Sequence, residues 1–104
     1  MKRDELLEQV KLTVHEIEPD ADIILYGSRA RGDAHAESDW DFLILLDGVV
    51  DDVRTDAIRH RLYEIEWDCG EVLSSIVRNR QEWDTPLHQV TPFSKVVREQ
   101  GILI

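Results

Sequence analysis

The run "WDFLILL", Trp40–Leu46, limits the possible folds more than any other part of the chain. It is the strongest β signal present, and Asp47-Gly48 closes it. A second apolar run, "DIILY" at Asp22–Tyr26, lies between the turn-forming "PDAD" and Gly27 and reads as a buried strand. Both fall far short of the roughly 20 apolar residues that a bilayer-spanning helix needs. Helical spacing surrounds them. Leu6, Val10, Val14 and Ile17 mark one side of a helix over residues 3–18, ending before Pro19. A second helix runs from the N-cap candidate Asp51 to about Trp67, with Ile58, Leu62 and Ile65 on its buried side. "EVLSSIV", residues 71–77, reads as a third strand, and "RNRQEWD" as a polar connection with one helical turn. Thr85-Pro86 caps a third helix that Leu87 and Val90 begin, Pro92 interrupts, Val96 and Val97 continue and Gly101 stops. The final "ILI" reads as an edge strand or an exposed end. This order predicts one α/β (α+β) domain over residues 1–104, with a mixed sheet of three or four strands and helices mainly on one face.

Charge narrows the function. The 104 residues are 42% apolar and 33% charged, as in a globular protein, and their formal net charge is −10. Proteins that grip long nucleic acid neutralise phosphates with Lys and Arg, so this balance argues against that role. A phosphate site here has to be local, built from a few arginines, backbone amides and a bound cation. No basic, apolar leader opens the chain, and the lone Cys69 excludes an internal disulfide, so the expected location is the cytoplasm, away from membranes. His15, His60 and His88 show no ligand spacing, and His35 reads as a solvated loop residue.

The stretch "YGSRARGDAHAESDWDF", Tyr26–Phe42, concentrates the chemistry. Asp39 and Asp41 stand two apart at the start of a strand, so both side chains point to one face with Cα atoms about 6.5–7 Å apart. Two such carboxylates form an incomplete shell for magnesium, which phosphate oxygens and water complete. Gly27, straight after a buried strand, lets backbone approach a ligand closely, and Ser28 adds a hydroxyl donor. Arg29 and Arg31 supply positive charge for phosphates, with pairing to a nearby acid as the structural alternative for Arg31. Trp40 lies between the aspartates and faces the other side of the sheet, which favours core packing.

"GSRARGDAHAESDWDF", with its Gly-Ser, ten residues and Asp-x-Asp, resembles the signature of the DNA polymerase beta-like nucleotidyltransferases, and in particular the minimal nucleotidyltransferases. The resemblance implies that Gly27 and Ser28 seat the phosphates of ATP or another nucleoside triphosphate, with Arg29 and Arg31 nearby. It also implies that Asp39 and Asp41 bind two Mg2+ ions. Such proteins usually carry a third carboxylate on a later strand. Glu71 is the candidate here, with Ser74 or Val72 as the alternative occupants of that position.

Minimal nucleotidyltransferases are commonly paired with a separate helical HEPN-domain toxin. The resemblance therefore implies an antitoxin that transfers AMP to a hydroxyl of its partner. A catalytically weakened module that neutralises the partner by contact is the second expectation. A small-molecule nucleotidyltransferase is the third, and it would need a homodimer to build its acceptor pocket.

Overall fold

The computed structural model describes residues 2–33, 35 and 38–104; the loop reading at Ala34, Ala36 and Glu37 lies outside the described residues. Helix α1 (Arg3–Ile17) leads to β1 (Asp22–Tyr26), the short α2 (Ser28–Arg31) and β2 (Trp40–Leu46). Helix α3 (Asp52–Cys69) crosses to β3 (Leu73–Asn79), and three short helices follow: α4 (Arg80–Trp83), α5 (Pro86–Gln89) and α6 (Pro92–Gln100). Strand β4 (Ile102–Leu103) ends the chain. The four strands form one mixed sheet in the order β3-β2-β1-β4. Strand β2 runs parallel to β3 and antiparallel to β1, and β4 pairs antiparallel with β1. The terminal "ILI" is thus an edge strand.

The alternation of β2 separates two cores. Trp40, Phe42, Ile44 and Leu46 point to one face, where they meet Leu6, Val10 and Val14 of α1 and Ile58, Leu62 and Ile65 of α3. Leu43 and Leu45 point to the other face, against Trp83 and Val97 with Ile24, Tyr26, Ile76 and Phe93 around them. The long helices therefore cover one face, as the helical spacings require, while α4 and α6 cover part of the other.

Caps and ion pairs fix the helices. Asp51 accepts from the Arg54 backbone N–H at 2.9 Å and opens α3. The Arg54 guanidinium donates to both Glu18 carboxylate oxygens at 2.7 and 3.0 Å, tying the end of α1 to the start of α3. Hydrogen bonding to Glu18, as the largest influence, raises the Arg54 pKa above its ordinary value.

Three boundaries differ from the sequence expectation. Helix α3 continues to Cys69, where Gly70 caps it in the left-handed conformation, so Glu71 and Val72 stay in the turn and β3 begins at Leu73. The third helix is two helices, because Thr91 caps a new start: its hydroxyl accepts from Ser94 N at 3.2 Å, with Pro92 in the first turn. Leu87 and Val90, expected on a buried side, are exposed, both ahead of that break.

Candidate active site

The strand register assembles the site. Tyr26 stands opposite Asp41 in the antiparallel β1–β2 pair, and Asp41 stands opposite Ser74 in the parallel β2–β3 pair. Tyr26, Asp41 and Ser74 therefore form one row on the face away from α1 and α3. Asp39 lies two residues before Asp41, just ahead of the strand, and is exposed.

Gly27 comes next to this row because its backbone adopts a conformation essentially reserved for glycine, φ +77° and ψ −159°. A Cβ on Gly27 would lie 2.5 Å from Asp41 Oδ2. The missing side chain is thus the space the Asp41 carboxylate occupies. Ser28 then starts α2, whose backbone closes when Ala30 and Arg31 N–H both donate to the Gly27 carbonyl at 3.0 Å.

Burial raises the Asp41 pKa above its ordinary value, repulsion from Asp39 adds to the rise, and Arg31 opposes it. Burial also raises the Tyr26 pKa, followed by the charge of Asp41, with Arg78 opposing. Two adjacent carboxylates that repel each other on a partly desolvated face suit a hard cation, and the absent Gly27 side chain leaves the Asp41 carboxylate its place there. The donor set fits magnesium as an open, two-carboxylate site. Among the described residues no cluster of three or more His, Cys, Asp or Glu could hold a metal on protein ligands alone.

Two residues expected at the site are placed differently. Glu71 does not join the aspartates: it precedes β3, and its Oε2 accepts from Trp40 Nε1 at 3.3 Å and lies 3.5 Å from Arg29 Nη2. It therefore belongs to the Trp40 side of the sheet. The position beside Asp41 on β3 is held by Ser74, one of the two alternatives named from the sequence. Arg29 is 15% exposed, with its guanidinium 4.4 Å from the centre of the Trp40 ring. It donates to the Ser38 carbonyl at 2.9 and 3.2 Å. Arg29 thereby anchors the end of the loop that delivers Asp39. Arg31 pairs with Asp33 at 3.1 Å and reaches Gln100 at 3.2 Å, while its charge still acts on Asp41. His35 is exposed, as expected.

Sequence reasoning did not single out Tyr26 or Arg78. Tyr26 packs edge-on against Phe93 at 5.3 Å, and Phe93 in turn against Trp83 at 5.6 Å, so an aromatic row leads from the site into the second core. Its place directly before Gly27 was the available signal; that of Arg78 appears only once β3 is registered on β2. A larger cavity of about 520 Å³ lies at the far end of the sheet, among Gly48, Val49, Asn79 and Glu82, away from the aspartates.

The mixed sheet thus sets a glycine-serine turn against Asp41 of the Asp-x-Asp pair. The sequence profile described as "Nucleotidyltransferase domain" matches residues 7–96, and the chain belongs to that family. No curated protein matches it by sequence. Solved structures of similar fold include two toxin–antitoxin structures. One is a toxin–antitoxin with AMP-PNP, at TM-score 0.65 and 16% identity, covering 92% of this chain and 69% of that one. The other is the toxin–antitoxin MntA–HpeT in a mutant with two aspartate-to-glutamate substitutions, at TM-score 0.57 and 16% identity, covering 99% and 72%. At this identity the likeness shows a shared fold. No helix among the described residues is long and apolar enough to cross a membrane.

Proposed function

We propose that this chain is a magnesium-dependent nucleotidyltransferase that moves AMP from ATP to a hydroxyl of a partner protein, as the antitoxin of a helical HEPN-type toxin. The observation that carries the reading is the Asp41 carboxylate in the space a Gly27 side chain would fill, with Asp39 beside it in a chain of this family. In this reading Asp39 and Asp41 hold the metal, Gly27 and Ser28 seat the phosphates, and Arg31 lends positive charge. Arg29 acts indirectly, through Trp40 and Ser38. The acceptor hydroxyl forms a bond to the α-phosphorus and releases its proton to water, the bond to the bridging oxygen breaks, and pyrophosphate leaves with the electron pair. Magnesium, when bound, neutralises the charge on the phosphate oxygens. The toxin–antitoxin complexes of similar fold, one with AMP-PNP, support both the nucleotide and the partner.

The experiment is labelling of the co-expressed neighbouring protein by ATP carrying a radioactive α-phosphate. Asp39→Asn combined with Asp41→Asn should reduce labelling by about a thousandfold or more. Undiminished labelling by that double variant would sink the assignment.

One observation favours a second reading, neutralisation by binding alone: Ser74 stands beside Asp41 where a third carboxylate would sit, and Glu71 lies on the other side of the sheet. Mg·ATP binding without labelling of any neighbour selects this reading. Labelling gained by Ser74→Asp would show that the missing acid is what limits transfer.

A further inference from the structure

The C-terminal end of α3 carries an open aromatic pair that neither core uses. Trp67 is 77% exposed and packs edge-on against Tyr63, with ring centres 6.3 Å apart. Gly70 then turns the chain, and between helix and strand lies a cavity of about 280 Å³ lined by Tyr63, Glu66, Trp67, Gly70 and Glu71. Both carboxylates are fixed in place. Glu66 Oε1 accepts from the Leu73 N–H at 2.9 Å, and Glu71 Oε2 accepts from Trp40 Nε1 at 3.3 Å and from Arg29 Nη2 at 3.5 Å. Those bonds use one oxygen of each group, and each carboxylate keeps a second.

Two held carboxylates beside two aromatic faces are the chemistry that recognises a cation. A planar guanidinium matches it best, because it stacks on an aromatic ring while its fork of donors meets carboxylate oxygens. The cavity has the volume for one such side chain. Its position matters as well. Glu71 lies just ahead of β3, an edge strand of the sheet, on the Trp40 side and not on the face of Asp41. The net charge of −10 favours a basic partner at this edge.

We propose that this cavity takes an arginine side chain of the protein partner and so docks the partner at the β3 edge of the sheet. The proposal rests on the partner-in-trans reading, and it holds whether the partner is adenylylated or only bound.

The test has two arms. In the first, acetyl-arginine amide is titrated into the full chain while the indole N–H signals are followed by NMR. Acetyl-citrulline amide, of the same shape without the charge, is the control. The expected result is a saturable shift of Trp67, with citrulline at least about fivefold weaker. Trp83, buried in the second core, serves as the internal reference. Equal shifts from the two probes, no saturation, or spermidine binding where arginine does not would each overturn the proposal.

In the second arm, Trp67→Ala and Glu66→Gln are compared with the parent chain for affinity toward the co-expressed partner and toward Mg·ATP. Partner affinity should fall about tenfold, with Mg·ATP affinity unchanged. Unchanged partner affinity in both variants overturns the proposal even where the parent chain labels its partner. Arginine binding at Trp67 in a chain that labels nothing supports the cavity and overturns the transfer reading instead.

Discussion

Strand β2 has two faces with different occupations. Trp40, Phe42, Ile44 and Leu46 are sealed under α1 and α3, while Asp41, Leu43 and Leu45 face the side that α4 and α6 cover only in part. On the first face every position is apolar and buried, so that face supplies most of the stabilisation available to a chain this small. On the second, burial ends at the aspartates: Leu45 and Leu43 are covered, and Asp41 is partly open. The covered face can hold the strand rigidly while the other leaves its N-terminal end free for a ligand. The sharpest way to break this division is Phe42→Ala. Phe42 has no exposure, and its truncation should cost about 3–5 kcal/mol, most of the stability of a small domain, as read by urea denaturation. A loss under about 1 kcal/mol would mean that the two faces share the stabilisation evenly.

A pair of glycines sharpens the comparison at the site itself. Gly27 and Gly32 flank α2, and both have positive φ, +77° and +84°. Only at Gly27 would a Cβ collide with Asp41; at Gly32 it would meet nothing within 4 Å. Gly27→Ala should cost about 1–3 kcal/mol of backbone strain and also displace the Asp41 carboxylate, abolishing Mg·ATP binding by calorimetry. Gly32→Ala should cost about 1–2 kcal/mol and leave binding intact. Equal loss of binding in the two variants would show that Gly27 acts through the shape of α2 and not through its contact with Asp41.

What could be read from the sequence follows from the range of each signal. The strands Asp22–Tyr26 and Trp40–Leu46 have the bounds their apolar runs suggest, since their core-facing positions are buried and must be apolar. Asp39 and Asp41 stood out because their spacing alone puts both on one face. The positions of Glu71 and Arg29 were not legible. Each depends on contacts distant in sequence, Glu71 with Trp40 across 31 positions and Arg29 with Glu71 across 42. The start of β3 also hides Glu71, because Gly70 places it in a turn. Leu87 and Val90 misled for a different reason. Their apolar character suggested a buried side, but each of the two Thr-Pro starts opens its own short helix, so no continuous helical face forms.

The smallest expected effect probes the open face directly. Burial and Asp39 raise the Asp41 pKa, so the folded chain holds that proton more tightly than the unfolded chain does. The resulting stabilisation is fully present below the unfolded value of about 3.8 and is lost as pH rises through the raised folded value. At neutral pH the charged carboxylate is therefore a net cost to folding. Asp41→Asn should stabilise the chain at pH 7 by about 0.5 kcal/mol, a modest figure because solvent screens this partly exposed group. The gain should shrink toward zero near pH 3, where Asp41 is itself neutral. Thermal melts at the two pH values check this, and magnesium added at pH 7 should raise the melting temperature of the parent chain alone. An Asn variant less stable than the parent at pH 7 would mean that the fold already satisfies the Asp41 charge, and the open face would then lose its strongest mark of a cation site.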